Sequence, residues 1–140
     1  MVSGIIAVIV LGLVIALVVA VARDPGPSPE DVAVAYEDAW DRLDFEALWT
    51  LSGDELHDGL RHREFVDAKR AAYATQPGLG GLAAGVSVEQ VDSGRQVALV
   101  RTRVALHDGG AAHNDVQLES RSGRWVVVGY DLVRSEPASS

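Results

Sequence analysis

The hydrophobic period of this chain changes once. From Pro29 to Ala74 apolar residues recur every three to four positions, and from Ala84 to Arg134 the spacing shortens towards two. The switch falls at "QPGLGG", residues 76–81, a proline and glycine run that favours neither helix nor strand. A helical half followed by a strand half is the pattern of an α+β fold, with helices gathered on one face of an antiparallel sheet. The 140 residues leave room for one such domain and an appendage.

In the helical half, Ser28 is placed to cap a first helix, with Pro29 at its first position and Asp31 where a capping box puts its acid. Val32, Tyr36, Ala39, Trp40 and Leu43 then form one apolar face. Asp44 caps a short helix "FEALWTLS", which turns Phe45, Leu48, Trp49 and Leu51 inward and ends at Gly53. A third helix is expected from an Asp54 cap, with a bend at Gly59 and a buried side of Leu56, Leu60, Phe65, Val66, Ala72 and Tyr73.

Turn signals at "DSGR" (92–95), "HDGG" (107–110) and "RSGR" (121–124) divide the second half into strands over roughly 84–92, 96–107, 113–121 and 125–134. The third alternates, with Val116 and Leu118 on one side and Asp115, Gln117 and Glu119 on the other. The second and fourth are apolar on both faces, which predicts central strands or strands covered on both sides. The architecture expected is three helices on a curved four-stranded antiparallel sheet.

Ahead of this domain, Ile5–Ala22 is an unbroken apolar run in which 13 residues are Ile, Leu or Val. With its uncharged flanks it approaches the roughly 30 Å thickness of a bilayer core, which predicts a transmembrane helix over 1–22. The rival is a signal peptide cut after Ala20-Val21-Ala22, which leads to secretion. No Lys or Arg precedes the run, and it exceeds the usual signal core, so the anchor is preferred. The N-terminal side offers only the α-amino group, whereas Arg23, next to Asp24, follows the span directly, which favours a cytoplasmic domain; an exported domain is the alternative. Gly12, Ala16 and Ala20 share one helix face, a spacing that suits packing of two spans. The expected organisation is a span over 1–22, a Pro-rich linker over 23–28, the α+β domain over 29–134 and a disordered tail over 135–140.

The net charge of −8 is concentrated: between Glu30 and Asp58 ten acidic residues face Arg42 alone. Such a surface repels phosphate backbones, which argues against nucleic acid as a partner. The partners left open are the membrane, a second copy joined through sheet or span, and an unidentified protein. The chain has no cysteine, hence no disulfide framework and no thiolate ligand or nucleophile.

The order of elements, "AVAYEDAWDRLDFEALWTLSGDEL", then "REFVDAKRAAY", then a meander whose last strand starts at Trp125, resembles the nuclear transport factor 2-like superfamily. That superfamily includes ketosteroid isomerase-like and SnoaL-like proteins. The likeness covers about residues 28–134 and is nearest in kind to the small membrane-anchored members of actinobacteria. It implies a cone of helices and sheet around a pocket, used by some members for isomerisation or dehydration and by others for binding or dimerisation.

No catalytic signature stands out, and no cofactor is implied. His107 and Asp131 are the only candidate dyad, on strands expected to lie close, although His107 directly precedes a turn. His57 and His62 miss the i, i+4 spacing of a shared metal and are read as surface residues; Asp54, Glu55 and Asp58 are read as helix-capping acids, and no metal site is expected. Tyr36, Trp40, Trp49, Phe65, Tyr73, Trp125 and Tyr130 are the residues available either to fill the core or to line a small apolar pocket. The reading that follows is a membrane-anchored, non-catalytic accessory or interaction domain. Binding of a small hydrophobic ligand and an isomerase- or dehydratase-like activity are its alternatives.

Overall fold

The structure, a computed structural model, describes residues 26–75 and 80–138. The expected span over 1–22, with Gly12, Ala16 and Ala20, lies outside the described residues, as does the first half of the linker, residues 23–25. Among the described residues no helix is long and apolar enough to cross a membrane.

The described residues form helix α1 (Pro29–Asp41), helix α2 (Phe45–Leu51), a 3₁₀ turn (Asp54–Leu56), helix α3 (His62–Ala74) and strands β1 (Ala83–Ser93), β2 (Val97–Leu106), β3 (Ala111–Arg121) and β4 (Arg124–Glu136). Local chemistry sets the starts of the first two helices. Asp31 N–H donates to Ser28 Oγ at 3.2 Å, with Pro29 at the first helical position. Ala47 N–H donates to Asp44 Oδ1 at 3.1 Å.

Helix α1 ends in a Schellman motif: Leu43 N–H reaches Trp40 O (3.1 Å) and Asp44 N–H reaches Ala39 O (2.8 Å). The motif needs a left-handed residue after the cap, and Leu43 takes that conformation with φ 53° where glycine is usual. The third helix starts later than its sequence suggests. Asp54 makes no capping bond, the chain takes a single 3₁₀ turn, and α3 begins at His62 after Arg61, which also provides no side-chain cap.

The four strands are hydrogen-bonded in chain order, all antiparallel. Bulges fall in β1 near Gly85 and between Val88 and Gln90, and in β4 opposite His113/Asn114 and Gln117/Leu118. Each bulge bends its strand and increases the local twist. The helices cover one face, where Val100, Val116, Leu118 and Val127 of the sheet join Val32, Tyr36, Phe45, Leu48, Phe65 and Val66 in the core.

The double-sided apolar pattern is accounted for in β2, which is internal, but not in β4, which is an edge strand. Its first part is covered because Gly53 N–H donates to Val127 O at 2.8 Å and Ser52 bridges Val127 in parallel. Beyond Tyr130 the strand is open, and Leu132 is 64% exposed. Pairing of β4 continues to Glu136, two residues past the expected end of the domain, so the start of the expected tail is strand.

Candidate functional site

Glu37 lies on the inner face of α1 and is only 5% exposed. An ionised carboxylate there requires hydrogen-bond donors, and three strands provide them. Its Oε1 accepts from Thr102 Oγ1 of β2 and Asn114 Nδ2 of β3, both at 3.0 Å, and its Oε2 accepts from the Tyr130 hydroxyl of β4 at 2.7 Å. Asn114 Nδ2 also donates to the Tyr130 oxygen at 3.0 Å. Both amide hydrogens are thus used, and the phenol receives one hydrogen bond while giving its own proton to Glu37.

Burial pushes the Glu37 carboxyl above its ordinary value of 4.5, while hydrogen bonds from Tyr130, Thr102 and Asn114 pull it back. Burial, followed by the adjacent Glu37 charge, pushes the Tyr130 phenol far up, so Tyr130 remains a donor throughout the physiological range. Tyr36, also raised by burial, packs edge-on against Tyr130 with ring centroids 5.2 Å apart.

This cluster borders an open groove of about 360 Å³ between α1, α3 and the end of the sheet. Glu37, Asp41, Asn114 and Tyr130 contribute polar groups, while Trp40, Leu43, Tyr73, Leu82, Val104 and Leu106 provide apolar wall. A carboxylate offers about four acceptor positions, of which three are taken. The arrangement therefore presents a charge and apolar walls, with no activated nucleophile among the lining residues.

The aromatic residues expected to form a pocket divide into groups. Trp40, Tyr73 and Tyr130 line the cavity, with Tyr36 buried behind them. Trp49 and Phe65 belong to a separate stack with His57, and Trp125 is buried in the core. His107 is exposed in the β2–β3 turn, whereas Asp131 pairs opposite Asp115 within the sheet and is exposed. The structure does not bring these two together.

His57 is buried rather than at the surface, 7% exposed and stacked on Trp49 at 3.6 Å, because the chain after α2 folds back over that ring. Its Nε2 lies 3.1 Å from Ser52 Oγ and its Nδ1 lies 3.4 Å from Asp54 Oδ1, which outlines a Ser-His-Asp arrangement. The hydrogen-bond directions favour a structural role for this group. Trp49 O, 3.2 Å from Nε2, can only accept, so Nε2 carries the proton, and the Ser52 hydroxyl donates to Leu48 O at 2.6 Å. The group ties down the end of α2. Of the acids read as caps, Glu55 instead pairs with Arg121 and Asp58 with Lys69.

On the opposite face of the sheet His113 is buried, with Nδ1 2.9 Å from a Glu89 carboxylate oxygen and Nε2 3.1 Å from Glu136 Oε1. It links the outer strands to β3. Sequence reasoning missed Glu37, Thr102 and Asn114, although each carried a signal. Glu37 stands four residues after Ala33 and three before Trp40 on the apolar stripe, and Asn114 shares the inward parity of Val116 and Leu118.

No protein-family model and no curated protein matches this chain. Solved structures do. A candidate nuclear transport factor 2-like transpeptidase from Campylobacter jejuni superposes with a TM-score of 0.55 at 16% identity, covering 72% of this chain and 97% of its own. A SEC-C motif containing protein from Rhodopseudomonas palustris gives 0.54 at 19% identity over 76% of this chain and 80% of its own. A nuclear transport factor 2-like protein of unknown function from Shewanella oneidensis gives 0.50 at 21% identity over 72% and 92%. Three helices on a four-stranded antiparallel meander, matched in this way, give the chain the nuclear transport factor 2-like fold.

Proposed function

We propose that the domain is a non-catalytic binding module that holds a small, largely apolar molecule in the cavity beside Glu37. The carrying observation is an aromatic and aliphatic wall interrupted by few polar groups: the Glu37 cluster, whose members bond to one another, and the Asp41 carboxylate. Such a surface gains by burying apolar ligand area, while its few fixed polar groups orient the ligand. In this reading the segment over 1–22 is the membrane anchor that the sequence predicts, and it keeps the binding domain close to a membrane-associated source or recipient of the ligand.

The test is extraction of full-length protein purified in lipid nanodiscs, with small molecules identified by mass spectrometry. The expected result is a compound retained by the wild type but absent from empty nanodiscs and from an Ala112→Trp variant, whose new ring occupies the cavity. A wild-type extract that matches the variant's overturns the reading.

A further inference from the structure

Resting on the binding reading above, we infer that the cavity's ligand is a small organic cation, an amine or quaternary ammonium carried on an apolar body. The cavity combines three aromatic side chains, Trp40, Tyr73 and Tyr130, with two carboxylates, Glu37 and Asp41. Among the described residues no lysine, arginine or histidine lines it. Aromatic faces attract a cation through their quadrupole.

The carboxylates are not consumed by neighbouring cations. Glu37 is held by neutral donors alone. Asp41 Oδ1 accepts the backbone N–H of Ala83 at 2.9 Å, and Asp41 forms no ion pair among the described residues. The nearest ammonium, Lys69 Nζ, lies 5.9 Å from the Trp40 ring centroid and 5.5 Å from that of Phe65. Lys69 pairs with Asp58 at 3.3 Å and does not line the cavity. An anionic ligand would meet two carboxylates with no positive partner, and a neutral ligand would use only the walls.

Three probes with one ring system separate these cases: 2-naphthylmethylammonium, 2-naphthylmethanol and 2-naphthoate. Each is titrated by calorimetry into full-length protein in zwitterionic nanodiscs, with empty nanodiscs subtracted. The expected order is ammonium, alcohol, carboxylate, with the ammonium about tenfold tighter than the alcohol and this ratio falling as salt is added. Asp41→Asn and Glu37→Gln should each reduce the ratio. Asp41→Asn decides if Glu37→Gln fails to fold, because its side-chain oxygen can still accept from Ala83.

An ammonium less than threefold tighter than the alcohol, or a tighter carboxylate, overturns the cation inference and leaves the binding reading standing. A ratio unchanged in every folded variant places the cation elsewhere and also overturns the inference. No binding by any probe up to millimolar concentration overturns the binding reading and the inference with it.

Discussion

Glu37 is placed where two forces oppose each other: burial penalises its charge, and three donors support it. Burial dominates, so the folded-state value lies above the ordinary 4.5. Below that ordinary value the group is protonated in both folded and unfolded chains, and its contribution to stability is fully present. As the pH rises through the ordinary value towards the folded one, the unfolded chain loses its proton first and that contribution falls. Urea denaturation between pH 4 and 8 should therefore show wild-type stability declining relative to Glu37→Gln. Glu55 behaves in the opposite way: the Arg121 guanidinium holds its carboxyl down to about 2, so its contribution is present above 4.5 and lost as the pH falls towards 2. The pair is solvent-exposed, so water and salt screen most of that contribution. Glu55→Gln should make the acid limb of the stability profile slightly shallower, as read by thermal unfolding between pH 2 and 5. Glu37 was visible in the sequence only as an acid on an apolar stripe. Its meaning depended on Thr102, Asn114 and Tyr130, which lie 65, 77 and 93 residues away.

Elements were legible to the extent that their causes were local. Ser28, Pro29 and Asp44 act within one helical turn and performed the expected roles, whereas Asp54 is followed by a chain that turns back over Trp49, a tertiary contact that overrode the expected cap. The edge position of β4 was equally hidden, since Ser52 and Gly53 pair with its backbone at Val127 and cover part of that edge. The end of α1 offers a direct comparison. A left-handed leucine is strained by about 1–2 kcal/mol, which offsets much of what its half-buried side chain contributes. Leu43→Gly should change stability by less than about 1 kcal/mol, while Leu48→Ala in the closed core should lose about 2–5 kcal/mol, both read by chemical denaturation. Gly110 tolerates no side chain, because a Cβ would meet the Glu136 backbone oxygen at 2.8 Å. Gly110→Ala should loosen the end of β4 and cost about 1–3 kcal/mol, with faster amide exchange over residues 132–136 as the specific sign.

At the scale of the molecule, the single change of hydrophobic period was enough to read the α+β class and the order of elements, because it reflects which face of each element is buried. It was not enough to show that one side chain of α1 joins three strands. That junction has a kinetic consequence. Helices and hairpins of this domain close over short stretches of chain, but contacts spanning 65 to 93 residues carry the largest loop-closure entropy and require the sheet to be assembled. The Glu37 junction is therefore expected to form after the folding transition state. Stopped-flow measurements should find Glu37→Gln altering the unfolding rate while leaving the refolding rate nearly unchanged. If the groove beside Glu37 is completed at that same step, an occupant that recognises only the finished wall slows unfolding without speeding folding, and the lifetime of the native domain becomes a measure of its occupancy.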